Sequence, residues 1–415
     1  MSATQGAGPQ AAGRHPGVPL LADLMPWSAG PLRLGRRWVM APDQATLRAR
    51  WQRLVGAEGA DRARLFAPSR ARTVHTAVAQ LPGQATATGR LARGAQACPE
   101  PVRVLHAGFD QQWLLPDHRL IDAARPELWR VAGPGQVFVV EQPAAPRGPG
   151  PAVVPSAVLP DGLAPNGRPG RIRPLYRRPD AAEPNLAPGL LAHLAQRLGT
   201  PVTAEDLLAW TTACARHENA ACVVPLTAEP ALWERGVALG SRLVDVFTRG
   251  AHSGERVRMP GGRRPYVRSA LPGRGLPARI GHEAQEEALY LDAGRIAPVA
   301  RAAWEYEAAG VPVLARWFEV RTGAAGEPGS LSAIVPEAWP AAWTSDLLEL
   351  VTVVSLLAEA RAEQRALVAA VAAAEQVGTA ELREAGVLPV SSAARRPASV
   401  LDRQEEGPEG QFALW

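Results

Sequence analysis

Apolar and polar positions change their period repeatedly along this chain, and each change marks an element. Val102, Val104 and Leu105 precede a polar run, and Trp113, Leu114 and Leu115 follow it. No helical period runs through them, so they predict two short strands around a polar turn. Arg37–Met40, Gln136–Glu141, Val153–Leu159 and Ala288–Leu291 predict further strands, with a Pro/Gly-rich connection from Pro143 to Pro151. Helical spacing is carried by Leu47, Trp51, Leu54 and Val55 behind Pro42-Asp43, and by Leu190, Leu191, Leu194 and Leu198. Thr203-Ala204-Glu205-Asp206 opens another helix, continued by Leu207, Leu208 and Trp210. Pro230–Phe247 forms the next, and Val313–Phe318 a short one. Thr344-Ser345-Asp346 with Glu349 predicts the cap of a long helix reaching about Gln376, with Leu347, Leu350, Val351, Val354 and Leu357 as its core stripe.

These elements predict an α+β protein: a β-rich domain with a helical insertion and a long C-terminal helix. Residues 1–26, rich in Gly, Ala, Pro and Gln, are expected to be a disordered tail, with order beginning near Trp27. Residues 27–377 form the domain: a β-rich half at 27–160, a helical part at 161–250, a basic loop with strands at 251–343, and the long helix at 344–377. Residues 378–415, ending in an aromatic cluster of Phe412 and Trp415, are expected to be mostly flexible. No internal repeat is present.

Composition narrows the function. At 415 residues and 47% hydrophobic, the chain can bury a substantial core. All 45 basic residues are Arg, against 40 acidic ones. The net charge of +5 is mild, so a nucleic-acid partner requires a local basic face. Two segments provide one. No acidic residue occurs from Arg64 to Ala97, a run containing Arg70, Arg72, Gln84 and Arg90. From Gly250 to Arg279, Arg256, Arg258, Arg263, Arg264, Arg268, Arg274 and Arg279 face a single acid, Glu255. Such side chains donate to phosphates and base edges, Arg in two-point contact with guanine and Gln with adenine.

Several chemistries are excluded by motif. A methyltransferase needs a Gly-rich turn and an Asn/Asp-Pro-Pro-aromatic loop, and Arg263-Arg264-Pro265-Tyr266 has only the tail of the latter. Without lysine there is no phosphate-cradling Gly-x4-Gly-Lys loop, nor a lysine-dependent nuclease site, and no Gly-x-Ser-x-Gly elbow appears. Cys98, Cys214 and Cys222 fit a reducing compartment, and Cys214, His217 and Cys222 lack a fourth zinc ligand. No cofactor or metal is implied. A cytoplasmic protein without a membrane span is expected.

The stretch from His106 to Trp129 is the densest in functional residue types. Asp110, Asp117, His118 and Asp122 could form a carboxylate and His metal cluster for hydrolysis. In the structural reading, Phe109, Trp113 and Trp129 anchor the stretch in the core and Asp110, Asp122 and Arg125 brace one another. Gln111, Gln112 and Arg119 then remain as base readers.

From Arg171 onward the chain resembles the C-terminal specificity region of type ISP restriction–modification enzymes. Pro174-Leu175-Tyr176 with Pro179-Asp180, then Asn185-Leu186-Ala187-Pro188, resembles that family's Pro-Leu-Tyr and Asn-Leu-x-Pro block. Thr203–Trp210, Pro225-Leu226-Thr227, Leu239–Val244, Ala303-Trp304-Glu305-Tyr306 and Val313–Arg321 resemble further blocks in the same order. His106–Trp113, with Asp117 and Arg125, is similar to the family's Tyr-Arg-Pro-Phe-Asp-x-Arg element, with Ala107 and Gly108 where Arg and Pro are expected. The resemblance covers about Val102 to Arg321. It implies a target-recognition domain for double-stranded DNA, normally downstream of nuclease, helicase and methyltransferase modules, which are missing here. The expectation is a stand-alone, non-catalytic DNA-binding module, with methyltransferase or nuclease subunits encoded elsewhere as further partners. The alternative is an interaction or scaffold subunit of a defence system that has lost DNA recognition.

Overall fold

The computed structural model describes residues 17–93, 96–144, 150–323 and 325–398. Its side chains sort into two apolar cores with a three-stranded sheet contributing to both, an α+β arrangement as expected.

The N-terminal core is built on Trp27, Trp38, Trp51, Phe66, Leu114, Leu128 and Trp129. Helix Gln44–Val55 starts where Asp43 accepts a hydrogen bond from the Thr46 amide, and it turns Leu47, Trp51 and Leu54 inward. The helix packs against an antiparallel sheet in the order Met40–Ala41, Asp110–Leu114, Val102–His106. The hairpin read from the apolar pattern runs in register from Val102 opposite Leu114 to His106 opposite Asp110. Its turn holds Ala107 at φ 48° and Gly108 at φ 80°. A proline, locked near −65°, cannot occupy position 108 in this turn.

Strand Phe138–Glu141 lies between Val153–Ser156 and Arg171–Pro174. Phe138 and Ile172 join the N-terminal core, whereas Val137, Val139 and Val153 join the larger C-terminal one. That second core packs helices Leu190–Leu198, Ala204–Cys214, Pro230–Phe247 and Ala341–Ala373. Thr203 and Asp206 form a reciprocal capping box on the second of these, as the sequence predicts. A four-stranded antiparallel sheet, in the order Ile280–Glu283, Ala288–Leu291, Gly294–Ala297, Tyr266–Ser269, sends Leu289, Leu291 and Ile296 into the same core.

Four elements depart from the pattern reading. Order is present ahead of Trp27: Leu21–Leu24 is a short helix, and Leu21, Leu24 and Met25 are buried because the Leu186–Leu190 and Val223 segments close over them. Residues 1–16 lie outside the described part. Beyond residue 378, helix Thr379–Glu384 and the buried Leu382, Val387 and Leu388 belong to the C-terminal core, and Glu381 meets His193 and Arg197 at 3.0 and 2.8 Å. Phe412 and Trp415 lie outside the described residues. The long helix begins at Ala341 behind Pro340, so Asp346 is no cap and instead meets Arg103 at 2.6 Å. Arg37–Val39 is a 3₁₀ turn rather than a strand, because Trp38 tucks inward to donate to the Phe66 carbonyl at 3.0 Å.

Candidate nucleic-acid interface

Residues 67–97 form neither helix nor strand among their described positions, yet they are not loose. Val74, Leu81 and Leu91 are buried pegs in the N-terminal core. Arginines pointing inward tie the intervening backbone. Arg119, 1% exposed, is clamped by Asp117 at 2.9 and 2.5 Å and donates to the Gly89 carbonyl and Gln96 Oε1, both at 2.6 Å. Arg62 donates to the Leu91 carbonyl at 2.8 Å and Arg72 to the His118 carbonyl at 2.9 Å. Arg36 reaches Ser69 at 3.2 Å and Asp122 at 3.0 Å. Burial pulls the Arg36 guanidinium below its ordinary pKa against the opposing pull of Asp122. Charge-assisted bonds of this kind are the stronger ones, so an irregular segment is held as firmly as a strand.

Held in this way, the segment presents Arg70, Arg90 and Arg93 to solvent, with Arg72 and Gln84 half-buried. Among the described residues, none of the three exposed arginines meets a carboxylate within salt-bridge distance. The absence of acid from Arg64 to Ala97 is the reason. Arg93 belongs with Arg70 and Arg90 by this geometry, and its signal was its place in the same acid-free run.

The second basic segment is carried by the C-terminal core. Arg263, Arg264 and Arg268 are all exposed. Arg263 meets Glu287 at 2.9 Å across an exposed pair, and Arg268 lies 3.8 Å over the Tyr266 ring. The candidates read from the sequence therefore fall on two segments, each packed on a different core.

The His106–Trp129 stretch is corrected most. Arg119 is no reader: it is a buried strut paired with Asp117. Gln112 is 3% exposed and donates to Asp110 at 2.7 Å, so it too is internal. Gln111, opposite Leu105 in the hairpin, stays half-buried. Asp110, Asp122 and Arg125 do not brace one another. Asp110 pairs with Arg321 at 2.9 Å, Asp122 with Arg36, and Arg125 donates to the Pro31 carbonyl at 3.2 Å. Phe109 and Trp129 are buried anchors, whereas Trp113 is half-buried beneath Arg103, 4.9 Å from its ring.

The possible hydrolytic cluster is dispersed by the same contacts. Asp110, Asp117 and Asp122 each go to a different arginine, and His118 Nδ1 lies 2.9 Å from the Ala79 carbonyl. His217 lies opposite Cys222 in its hairpin, and its Nε2 is occupied with the Gln142 carbonyl at 2.9 Å. Burial pushes the Cys98 thiol up to about 11 and that of Cys214 to about 12, which keeps both protonated near neutral pH. Among the described residues no group of three His, Cys, Asp or Glu side chains could hold a metal ion.

A mixed scaffold that spends buried arginines on holding an acid-free loop, and gathers no reactive cluster around it, has the build of a recognition domain. The chain belongs to the type ISP C-terminal specificity domain family, whose profile matches residues 23–350. Two solved structures resemble it in fold. One is a DrdV–DNA complex, with a TM-score of 0.53 and 14% identity over 83% of this chain and 35% of that one. The other is the ATP-dependent type ISP restriction–modification enzyme LlaBIII bound to DNA, with a TM-score of 0.50 and 13% identity over 83% of this chain and 23% of that one. The chain thus spans well under two thirds of either relative's length. No curated protein matches it.

Proposed function

We propose that this domain binds double-stranded DNA and supplies target recognition, with no catalytic step of its own, to restriction–modification chemistry residing in methyltransferase or nuclease modules or subunits. The observation that carries the reading is the surface of residues 67–97: exposed arginines without carboxylate partners, on a backbone fixed by buried ones. The two fold relatives were solved as DNA complexes, which favours DNA as the polyanion. Preset donors lose little freedom on binding, and the guanidinium fork suits phosphate and guanine alike. Arg70, Arg90 and Arg93 would hold phosphates; Gln84, in the same segment, has the donor and acceptor pair that adenine requires.

Binding of a duplex, followed by fluorescence anisotropy across a salt series, tests this. Affinity is expected to fall steeply with salt, and Arg70→Ala with Arg90→Ala to flatten the log–log slope by about 0.9 per lost phosphate contact. Salt-insensitive binding, or none at low salt, overturns the proposal.

A second reading, an interaction or scaffold subunit, rests on a groove of about 470 Å³ between helices Pro230–Phe247 and Ala341–Ala373, where Leu239, Leu243 and Leu356 are joined by charged Arg242, Arg256 and Glu363. Recovery of a stable protein complex from native cells, with no DNA retained by the purified chain, favours that reading.

A further inference from the structure

We propose that the edge strand Tyr266–Ser269 is a groove-reading element, in which Tyr266 and Val267 touch base pairs while neighbouring arginines hold the phosphates. This rests on the DNA-binding reading above and assigns base contact to residues outside the acid-free loop. The strand is the last in its sheet, paired on one side only with Gly294–Ala297. All of its residues are exposed, so neither of its faces is covered. Tyr266 at 42% and Val267 at 37% are two of the three large hydrophobic side chains left exposed among the described residues. The register slips at a bulge, with Ser269 opposite Arg295 but Val267 opposite Ile296, which leaves Arg268 as the extra residue. Bulges re-aim side chains, and here Arg268 lies 3.8 Å over the Tyr266 ring.

Protection of a free edge against aggregation explains a charge at position 268. It does not explain an exposed Tyr-Val pair beside it, which is a liability at such an edge. The surroundings name the occupant. No acidic residue occurs from Arg256 to Arg279, and Arg264 and Arg274 flank the strand. Across the sheet Glu287 pairs with Arg263 and Glu286 with Arg295, but Arg264, Arg268 and Arg274 meet no carboxylate within salt-bridge distance among the described residues, so the complementary surface is a polyanion. Phosphates have nothing to offer an aromatic ring and an isopropyl group, whereas base edges do, through thymine methyls and the faces of partly unstacked steps. Stacking by Arg268 holds the tyrosine in one orientation at little further entropic cost.

The test selects bound duplexes from a library with a randomised core, for the wild-type chain and for Tyr266→Ala, Tyr266→Phe and Val267→Ser. The wild-type chain is expected to enrich a motif. Tyr266→Ala should lose about tenfold of the preference at one or two adjacent base pairs, while Tyr266→Phe keeps it. Neither change alters the slope of affinity against salt, because no charge is removed. Thermal melting checks that these exposed substitutions leave the fold intact. Identical motifs from wild type and both Tyr266→Ala and Val267→Ser overturn the inference and leave DNA binding standing, as does a wild-type chain that binds DNA but enriches no motif. A wild-type chain that retains no duplex overturns both.

Discussion

Arg321 and Asp110, 211 positions apart, meet in a buried two-point pair, with Arg321 Nη1 and Nη2 donating to the carboxylate at 3.0 and 2.9 Å. The guanidinium also lies 3.6 Å over the Trp317 ring, and Gln112 donates to the same carboxylate at 2.7 Å. The hairpin's second strand, Asp110–Leu114, is thereby locked to helix Val313–Thr322. Removing one partner strands the other charge without water. Arg321→Ala should cost about 3–5 kcal/mol in denaturant unfolding. Changing both residues to apolar ones of similar size should cost less than the sum of the single changes. A strictly additive double mutant would mean that the pair is not coupled.

Stability should depend on pH from two sides through this same turn. Burial alone would raise the Asp110 carboxyl, but the charge and hydrogen bonds of Arg321, with His106 and Gln112, outweigh it and hold the group below its ordinary range. A depressed carboxylate stabilises above its unfolded pKa, about 3.9, and that contribution disappears as pH falls through the folded value. Burial alone would lower His106, yet Asp161 at 2.7 Å and the nearby Asp110 raise it. A raised histidine stabilises fully below its unfolded pKa, about 6.5, and that contribution is lost as pH rises through the folded value. Melting temperature against pH should therefore decline on both flanks, and His106→Gln should remove the alkaline decline while lessening, not abolishing, the acid one.

Arg119 separates strut from contact. Arg119→Met should lower the melting temperature and speed amide exchange across residues 86–96, since the Gly89 and Gln96 tethers go with it. Arg70→Ala should do neither, because that side chain is exposed. Fast exchange in the Arg70 variant with an unchanged Arg119 variant would reverse the assignment.

Helices Ala204–Cys214 and Pro230–Phe247 approach through Gly236 and Gly240. A Cβ at Gly240 would overlap the Ala209 backbone, and one at Gly236 the Trp210 ring. Backbone cannot move aside as a flexible side chain can. Gly240→Ala should destabilise by about 1–3 kcal/mol, the usual range for overpacking, while Gly281→Ala, where a built Cβ meets nothing within 4 Å and φ is not left-handed, should cost little.

Much of the fold was legible because its signals are local. The 102–114 hairpin, the Thr203 cap and the full span of Pro230–Phe247 follow from alternation, a capping pair and a sustained 3.6-residue stripe. Helix starts were less legible. Thr344-Ser345-Asp346 has the composition of a cap, but Pro340 and three further helix-compatible residues carry the helix one turn back. The termini misled for another reason: Leu21, Leu24 and Leu382 lie on short segments whose burial depends on partners far along the chain.

By itself the sequence determined the periods, the caps and the two acid-poor arginine runs, because each is a property of neighbouring residues. It could not determine which arginines outside those runs turn inward. Arg36, Arg50, Arg62, Arg119, Arg173 and Arg321 are all buried, whereas the arginines within the runs are exposed or half-buried. An arginine is affordable in a core only where carbonyls or a carboxylate converge on its fork, as Trp38, Met40 and Ile334 do on Arg50. Such convergence joins residues as far as 284 positions apart, so tertiary structure alone decided which charges hold the domain together and which remain for a partner.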